Sequence, residues 1–248
     1  MNAYSERISY VIVDTQNYIL ARCALNHSQS QFPLEKVYIF SDDKAKWGDI
    51  GIIEIPKITN IAQYNRFILC ELYKYIDTEF CLIIQYDGFV VDGSSFAKLF
   101  LEYDYIGAVW HHFDHYKVGC GGMSLRSSKL LRATADLLQT ATDFESPEDV
   151  VICRYYRIFF EEKYGLRFAP PEIANHFSQE NVTQPWTTFS FHGHALLPLF
   201  YQKQLEFLFE NLGPQNEAKI LCLQRACEQL GDEAIRAFEK FQEKTKRP

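Results

Sequence analysis

The feature that most constrains the fold is an apolar run that ends abruptly in polar residues. Phe80–Ile84 is continuously hydrophobic, and Gln85-Tyr86-Asp87-Gly88 follows it directly. A run of this length and character predicts a strand that is buried on both faces of a sheet. Open α/β sheets bind their ligands at the carboxyl ends of the strands. We therefore expect Asp87 to lie at a ligand-binding edge, where its carboxylate is a candidate ligand for a divalent cation.

Strand and helix patterns alternate through the first part of the chain. Strand candidates occur at Ile8–Val13, Lys36–Phe40 and Ile50–Ile55, and residues 61–75 show helical spacing before the strand at Phe80. Such alternation is typical of a mostly parallel sheet covered by helices. We therefore predict an α/β, Rossmann-like fold. Later strands are predicted at Tyr105–Val109, Phe168–Ala174 and Thr188–Phe191.

The last part of the chain has a helical pattern. Ile220, Leu223 and Cys227 recur on one face of a predicted helix, and a second amphipathic segment follows. We predict an α/β domain over residues 1–200 and a helical appendage over residues 201–248. The apolar faces of these helices are candidate surfaces for homo-oligomer formation.

Charge and hydropathy exclude some classes of partner. A net charge of −7 and an isoelectric point near 5.5 argue against a nucleic acid as the main partner. The sequence has no run of the ~20 apolar residues that a membrane span needs, and its first residues do not resemble a signal peptide. The seven cysteines form no C-x-x-C pair, which favours reduced thiols. We expect a cytoplasmic protein, with the inner face of the membrane as a second location.

Acidic and imidazole side chains at element boundaries each have a chemical and a structural interpretation. Glu148-Asp149 follows Pro147, so either acid is a candidate general base or simply a stabilising charge in the first turn of a helix. His192 follows a short apolar strand and is either a metal ligand or a structural histidine. Asp87-Gly88 is likewise either a cation site or an ordinary turn.

A glycine-rich segment, Gly119–Gly122, could let the backbone approach a bulky ligand or simply form a tight turn. It lacks the spacing of a P-loop or of a dinucleotide-binding loop, which argues against those sites. The cluster His111–His115 is either a metal site or, as we favour, a polar loop over an active site.

Taken in order, these motifs resemble a poorly characterised bacterial and fungal domain family of the GT-A glycosyltransferase type. The similarity spans about residues 8–195. It implies a GT-A-like fold and a nucleotide-sugar donor. The motifs that carry it are Tyr64-Asn65-Arg66, Gln85-Tyr86-Asp87-Gly88, Tyr103-Asp104-Tyr105-Ile106-Gly107-Ala108, Gly121-Gly122-Met123-Ser124-Leu125-Arg126-Ser127, Glu148-Asp149-Val150 and Phe191-His192-Gly193.

More distantly, the glycine-rich and Glu-Asp-Val motifs are similar to β-1,3-galactosyltransferase and Fringe-like enzymes. That resemblance implies that Asp149 is the base of an inverting transfer, with Glu148 beside it, and that Asp87 and His192 hold Mn²⁺ or Mg²⁺. Gln85 replaces the first acid of the Asp-x-Asp motif, so the metal site departs from the pattern. The resemblance also implies a set of donor-binding residues, namely Thr15, Asn65, Arg66, Gln85, Tyr86, Asp87, Gly121 and Gly122.

The sequence therefore predicts a hexosyltransferase-like enzyme that uses a nucleoside diphosphate sugar. Its acceptor would be a hydroxyl of a glycan, a lipid-linked glycan or a surface polysaccharide under synthesis. Two alternatives stay open. One is a non-catalytic module that binds sugar nucleotides or a protein. The other is a metal-dependent nucleotidyltransferase, although Gln85 argues against the paired acids that two metals require.

Overall fold

The computed structural model describes residues 3–180, 188–213 and 215–245. Its strands within these ranges, numbered along the chain, are β1 (Ile8–Val13), β2 (Lys36–Ser41), β3 (Ile53–Glu54), β4 (Phe80–Ile83), β5 (Gly88–Val90), β6 (Tyr105–Ile106), β7 (Ala108–Val109), β8 (Val118–Gly119), β9 (Ser124–Ser127), β10 (Ser178–Glu180) and β11 (Ser190–His192).

The central sheet of the described chain has six strands in the order β3-β2-β1-β4-β9-β6. Strands β3, β2, β1 and β4 are parallel to one another, whereas β9 runs antiparallel to β4 and β6. Every residue of β1 and β4 is buried, as a strand covered on both faces requires. The predicted α/β fold with a mostly parallel sheet is confirmed.

A turn after β4 leads the chain into a second, three-stranded sheet with the order β10-β11-β5. Strand β11 is parallel to β10 and antiparallel to β5, and its His192 is paired with Gly88. Strands β7 and β8 form a separate antiparallel pair. Asp87 therefore lies where the chain passes from one sheet to the other.

The helices account for the remaining regular structure. The α-helices within the described residues are α1 (Tyr18–Gln31), α2 (Ile61–Arg66), α3 (Ser128–Leu138), α4 (Glu148–Val150), α5 (Arg157–Tyr164), α6 (Pro171–Phe177), α7 (Leu197–Phe200), α8 (Leu205–Asn211), α9 (Glu217–Leu230) and α10 (Asp232–Thr245). Two wider helical turns, Phe67–Glu71 and Val151–Tyr155, extend α2 and α4. None of the described helices has the length and hydrophobicity of a membrane span.

Some predicted elements differ from the observed ones. The strand predicted at Phe168–Ala174 is wrong, because helix α6 begins at Pro171, where the fixed backbone angle of proline suits the first turn of a helix. The strand predicted at Ile50–Ile55 is reduced to β3, since only Ile53 and Glu54 pair with β2.

The C-terminal helices share the core of the sheet. Leu223 of α9 and Phe238 of α10 belong to the same cluster of buried side chains as Leu82 of β4. Helices α8 and α10 also pack together through Phe209 and Phe241, whose ring centroids are 5.2 Å apart. The division at residue 200 stays a prediction, and the shared core implies that the helices stabilise the sheet.

Candidate functional site

A cleft of about 300 Å³ opens at the carboxyl ends of β1 and β4. This is the edge at which open α/β sheets bind ligands, and the volume is within the range of small-molecule sites. The polar residues that line it are Asp14, Thr15, Gln16, Asn17, Asn60, Tyr64, Gln85, Tyr86, Gln215 and Lys219. Three of the predicted donor-binding residues, Thr15, Gln85 and Tyr86, are therefore in its wall.

Asp87 is buried beside the cleft between two histidines. Its Oδ2 lies 3.1 Å from His194 Nδ1, and His194 Nε2 lies 3.0 Å from the hydroxyl of Tyr86. Its Oδ1 lies 3.9 Å from His192 Nε2, and no hydrogen-bond partner for Oδ1 occurs among the described residues. Burial works against ionisation of Asp87, but His192 and His194 outweigh it and lower its pKa. The site thus keeps an ionised, incompletely paired carboxylate.

Strand pairing places His192 against Asp87. His192 lies opposite Gly88 on β5 and opposite Glu180 on β10. A Cβ atom at Gly88 would lie 2.6 Å from Cδ2 of His192, so only glycine leaves room for the imidazole. On the other side of the ring, Nδ1 lies 3.3 Å from Glu180 Oε1. His192 is therefore held between two carboxylates.

The glycine-rich segment connects His192 to Asp149. The backbone N–H of Gly121 donates to Asp149 Oδ2 at 2.8 Å. A Cβ atom at Gly122 would lie 2.3 Å from His192 Nε2 and 2.4 Å from Gln85 Oε1. The backbone therefore approaches His192 and Gln85 closely at Gly122, and it binds Asp149 through the N–H of Gly121.

Glu148 has a different environment from Asp149. Arg126 Nη1 donates to Glu148 Oε2 at 2.7 Å and Arg126 Nη2 donates to Oε1 at 2.8 Å, and both side chains are buried. A Cβ atom at Gly121 would lie only 1.8 Å from Glu148 Oε1, so this position has room for glycine alone. Both oxygens of Glu148 therefore bind Arg126, next to the backbone that holds Asp149, and a part for Glu148 in catalysis stays a prediction.

Asn65 and Arg66, both predicted to contact the donor, are not among the residues that line the cleft. The buried Asn65 amide donates to the carbonyl oxygens of Phe144 and Ser146, and its Oδ1 accepts from the N–H of Glu148. Arg66 is exposed, with its guanidinium 5.5 Å from the ring centroid of Phe144. These side chains hold the segment that precedes Glu148, and their contact with a donor stays a prediction.

Thr15 and Gln85 are held within the cleft wall. The Thr15 hydroxyl donates to the carbonyl of Ile58 and accepts from the N–H of Ile58, each at 3.1 Å. Gln85 Nε2 donates to the Tyr64 hydroxyl at 2.8 Å. Gln85, which stands where the Asp-x-Asp motif has its first acid, is thus a neutral hydrogen-bonding group at the strand end.

Sequence reasoning missed several residues of the cleft. Asp14 follows β1 just as the Gln85–Asp87 segment follows β4, so the strand-end rule could have identified it. Burial, opposed by the N–H groups of Gln16 and Asn17 and assisted by Asp87, raises the pKa of Asp14 to about 6.

Gln215 and Lys219 come from the start of the C-terminal helices, and nothing in the sequence linked them to the sheet edge. Lys219 acts electrostatically on the ionised Asp87. A basic side chain from these helices therefore contributes positive charge to the cleft.

The His111–His115 segment lies on the surface. His111, His112, Asp114 and His115 are exposed, and Arg154 Nη1 donates to the carbonyl oxygen of His115 at 2.6 Å. Among the described residues, a cluster of three potential metal ligands occurs elsewhere, at Cys120, Glu180 and His192. This geometry gives no support to a metal site in the histidine-rich segment.

Residues 49–195, more than half of the 248 residues, match the sequence profile of the family described as "Protein of unknown function (DUF5672)". The chain belongs to this family. The resemblance to an uncharacterised domain family of the GT-A type is confirmed. No curated protein matches the DUF5672 chain in sequence.

Solved structures with a similar fold include a glycosyltransferase involved in the glycosylation of the major capsid of PBCV-1. It is 12% identical over 75% of this chain and 91% of its own, with a TM-score of 0.50. The galactosyltransferase LgtC, solved with donor and acceptor sugar analogs, is 14% identical over 74% of this chain and 86% of its own, with a TM-score of 0.44.

The mannosyltransferase PcManGT from Pyrobaculum calidifontis, solved with GDP-Man and Mn²⁺, is 12% identical over 96% of this chain and 74% of its own, with a TM-score of 0.44. At 12% identity, the likeness to the PBCV-1 glycosyltransferase concerns the fold alone. The similarity to the PBCV-1 glycosyltransferase supports a GT-A glycosyltransferase-like fold for the DUF5672 chain.

Proposed function

We propose that this protein is a glycosyltransferase that moves a sugar from a nucleoside diphosphate sugar to a hydroxyl acceptor. The observation that carries the proposal is the oxygen of Asp87 that has no hydrogen-bond partner among the described residues. It is buried, lies 3.9 Å from His192 Nε2 and adjoins a cleft at the carboxyl edge of the sheet. A buried, unpaired anion next to an imidazole is an arrangement that a bound cation would stabilise.

The residues present fit a divalent cation. Asp87 supplies an oxygen and His192 a nitrogen, and both atom types are suitable ligands for Mn²⁺, while Mg²⁺ would depend mainly on Asp87 and the donor phosphates. Such an ion would neutralise charge on the departing nucleoside diphosphate. Lys219 would add positive charge to the cleft wall that faces those phosphates. These two contributions compensate for Gln85, which carries no charge.

Asp149 is the candidate base. The N–H groups of Gly121 and Val150 each donate to one of its oxygens at 2.8 Å, which fixes the carboxylate without using all of its lone pairs. Asp149 is partly exposed, so an acceptor hydroxyl can reach it, unlike the buried Glu148. Removal of the hydroxyl proton by Asp149 would drive a single displacement with inversion at the sugar.

The donor site would be formed by Thr15, Tyr64, Gln85 and Tyr86, which line the same cleft. Gly121 and Gly122 would form its floor near His192. The acceptor would be a glycan, a lipid-linked glycan or a growing surface polysaccharide, and the reaction would take place in the cytoplasm, at or near the inner face of the membrane.

The experiment that tests this proposal measures nucleotide release from a panel of nucleotide-sugars, with and without Mn²⁺. We expect release from at least one donor, and a loss of at least ~100-fold in Asp149→Asn, because general bases contribute about 10²–10⁴-fold. Asp143→Asn is the matched control, since Asp143 is an exposed acid on the same segment. Thermal-shift measurements with different nucleoside diphosphates would identify the nucleobase that the cleft prefers.

Two results would contradict the proposal. If no donor released nucleotide while a nucleoside diphosphate still bound, the protein would be a binding module. If Asp149→Asn turned over at the wild-type rate, the assignment of Asp149 as base would be wrong.

A further inference from the structure

His192 belongs to a second set of potential metal ligands that does not include Asp87. Cys120, Glu180 and His192 each offer one ligand atom, and these atoms all lie within 4.8 Å of one another. Glu180 Oε1 and His192 Nδ1 are 3.3 Å apart. The two carboxylates, Asp87 and Glu180, therefore approach different nitrogens of one imidazole.

Three separate elements bring these side chains together. Glu180 is the last residue of β10 and His192 the last of β11, and the parallel pairing of the two strands sets them side by side. Cys120 follows β8 and is buried. The backbone of Cys120 has a φ of 68°, in the left-handed region that residues other than glycine and asparagine rarely adopt. The fold therefore places a buried thiol beside the carboxylate and the imidazole in spite of this backbone cost.

The ligand types indicate which class of cation would bind. Thiolate, imidazole and carboxylate are the ligands of Zn²⁺ in proteins, whereas Mg²⁺ is bound through oxygen. A thiolate selects softer ions over Mg²⁺ and Mn²⁺. Three protein ligands would leave a fourth position of a tetrahedral ion open to water or another small ligand.

We propose that Cys120, Glu180 and His192 bind a thiophilic divalent cation of the Zn²⁺ class. Because Glu180 faces Nδ1, an ion shared by these two side chains uses the nitrogen opposite to the one that faces Asp87. A neutral imidazole has one free lone pair, so His192 serves one of the two cations at a time. Zn²⁺ at Cys120 therefore competes with Mn²⁺ at Asp87. The competition rests on the proposed function, whereas the site formed by Cys120, Glu180 and His192, called the thiol site below, does not.

The direct test uses the full chain after removal of metals with a chelator. Co²⁺ is added as a spectroscopic substitute for Zn²⁺, and the sulfur-to-cobalt charge-transfer absorption in the near ultraviolet is recorded. We expect one Co²⁺ per chain, an absorption that Zn²⁺ abolishes, and no effect of Mg²⁺. Cys120→Ser should remove the absorption, and Glu180→Gln should weaken Co²⁺ binding at least ~10-fold, in the range of losses typical of altered metal-site residues.

Cys222→Ser is the matched control, because Cys222 is a partly exposed free cysteine outside this cluster. It should keep the absorption, and circular dichroism and thermal melting should show that each variant is folded. Should Cys120→Ser fail to fold, Glu180→Gln still decides the question, since it leaves the thiol in place. The proposal is overturned if wild-type protein gives no sulfur-to-cobalt absorption, or if folded Cys120→Ser or Glu180→Gln binds Co²⁺ as wild type does.

Failure of this site and failure of the proposed function are distinguishable. The cobalt absorption requires no donor, acceptor or turnover. A strong absorption without nucleotide release would support the thiol site and contradict the transferase. The opposite result is a protein that shows no cobalt absorption but releases nucleotide with Mn²⁺, without inhibition by Zn²⁺. It would overturn the metal site at Cys120 and support the proposed transferase.

Discussion

Asp14 and Asp87 both lie beyond the carboxyl ends of adjacent strands but have opposite electrostatic environments. Each follows a buried strand, and the two strands, β1 and β4, are parallel neighbours in the central sheet. Asp87 lies between His192 and His194, which lower its pKa in spite of burial. Asp14 is bound by two backbone N–H groups, and burial raises its pKa to about 6.

The difference shows that the end of a strand sets where an acidic side chain lies but not how readily its carboxyl group ionises. The charge depends on partners that other parts of the chain supply. Glu148 is a third case, because the Arg126 guanidinium is bound to both of its oxygens in the protein interior. Changes at these acids should therefore have effects that differ in size and even in sign.

The largest expected effect is on stability, at the acid with the strongest partner. Glu148→Gln should lower the free energy of unfolding by about 3–5 kcal/mol, because it leaves the buried Arg126 charge without compensation. Urea denaturation measures this change. Glu145→Gln, at an exposed position nearby, should have little effect. A loss of under about 1 kcal/mol in Glu148→Gln would show that Arg126 finds other compensation.

Next comes Asp87, where we expect a large effect on activity. Asp87→Asn should reduce Mn²⁺-supported nucleotide release at least ~100-fold, about 3 kcal/mol in transition-state stabilisation, because the amide is a poor metal ligand. The release assay, run over a range of Mn²⁺ concentrations, measures this loss. Asp92→Asn is the control, since Asp92 is a nearby acid whose oxygens accept hydrogen bonds from Ser94 and Ser95 and, among the described residues, pair with no histidine. Equal activity in wild type and Asp87→Asn would argue that this carboxylate has no part in the reaction.

Asp14 should give an effect of the opposite sign. Since its folded pKa is about 6, above the ordinary value of 3.8, its ionised form destabilises the fold, and this cost is fully present above about pH 6. Asp14→Asn should therefore raise the free energy of unfolding at pH 7.5 by about 1–3 kcal/mol, while the amide oxygen still accepts from Gln16 and Asn17.

The pH dependence provides the check on Asp14. Stability that wild type gains from this group as the pH falls from 6 towards 4 should be absent in Asp14→Asn. Urea denaturation of both proteins at pH 7.5 and pH 5 measures the difference. If the variant were less stable than wild type at pH 7.5, then the N–H groups would favour the charge more than burial opposes it.

Thr15 should give the smallest effect. Thr15→Val removes two hydrogen bonds to Ile58 and should cost about 1 kcal/mol in stability. Thr15→Ser keeps the hydroxyl and is the matched control. Thermal melting with and without a nucleoside diphosphate would show whether the valine variant also loses binding to the cleft. Identical behaviour of valine and serine variants would mean that the hydroxyl contributes nothing to either.

Much of the central fold could be predicted from local sequence. The all-apolar strand at Phe80 and the alternation of strands with helices were sufficient for the sheet, because burial on both faces leaves a continuous hydrophobic run. Helix α6 was missed because Phe168 and Ile173 are apolar in a short segment, where periodicity alone does not separate a strand from a helix.

The site was less accessible to sequence reasoning. Thr15, Gln85 and Tyr86 could be placed at the cleft because they follow strands. The contacts of Asn65 and Glu148 could not be predicted, because a polar residue in a motif looks the same whether it faces a ligand or a buried partner. Only the hydrogen bonds to Phe144, Ser146 and Arg126 distinguish the two.

The sequence by itself determined that Asp87 follows a buried strand, since hydrophobic periodicity is a local property of the chain. The tertiary structure decided which groups surround it. His192 faces Asp87 through the register of β11 against β5, Glu180 faces His192 through that of β10, and Lys219 enters from a C-terminal helix. These contacts join residues far apart in the chain, and they depend on strand register and packing, which no local pattern encodes.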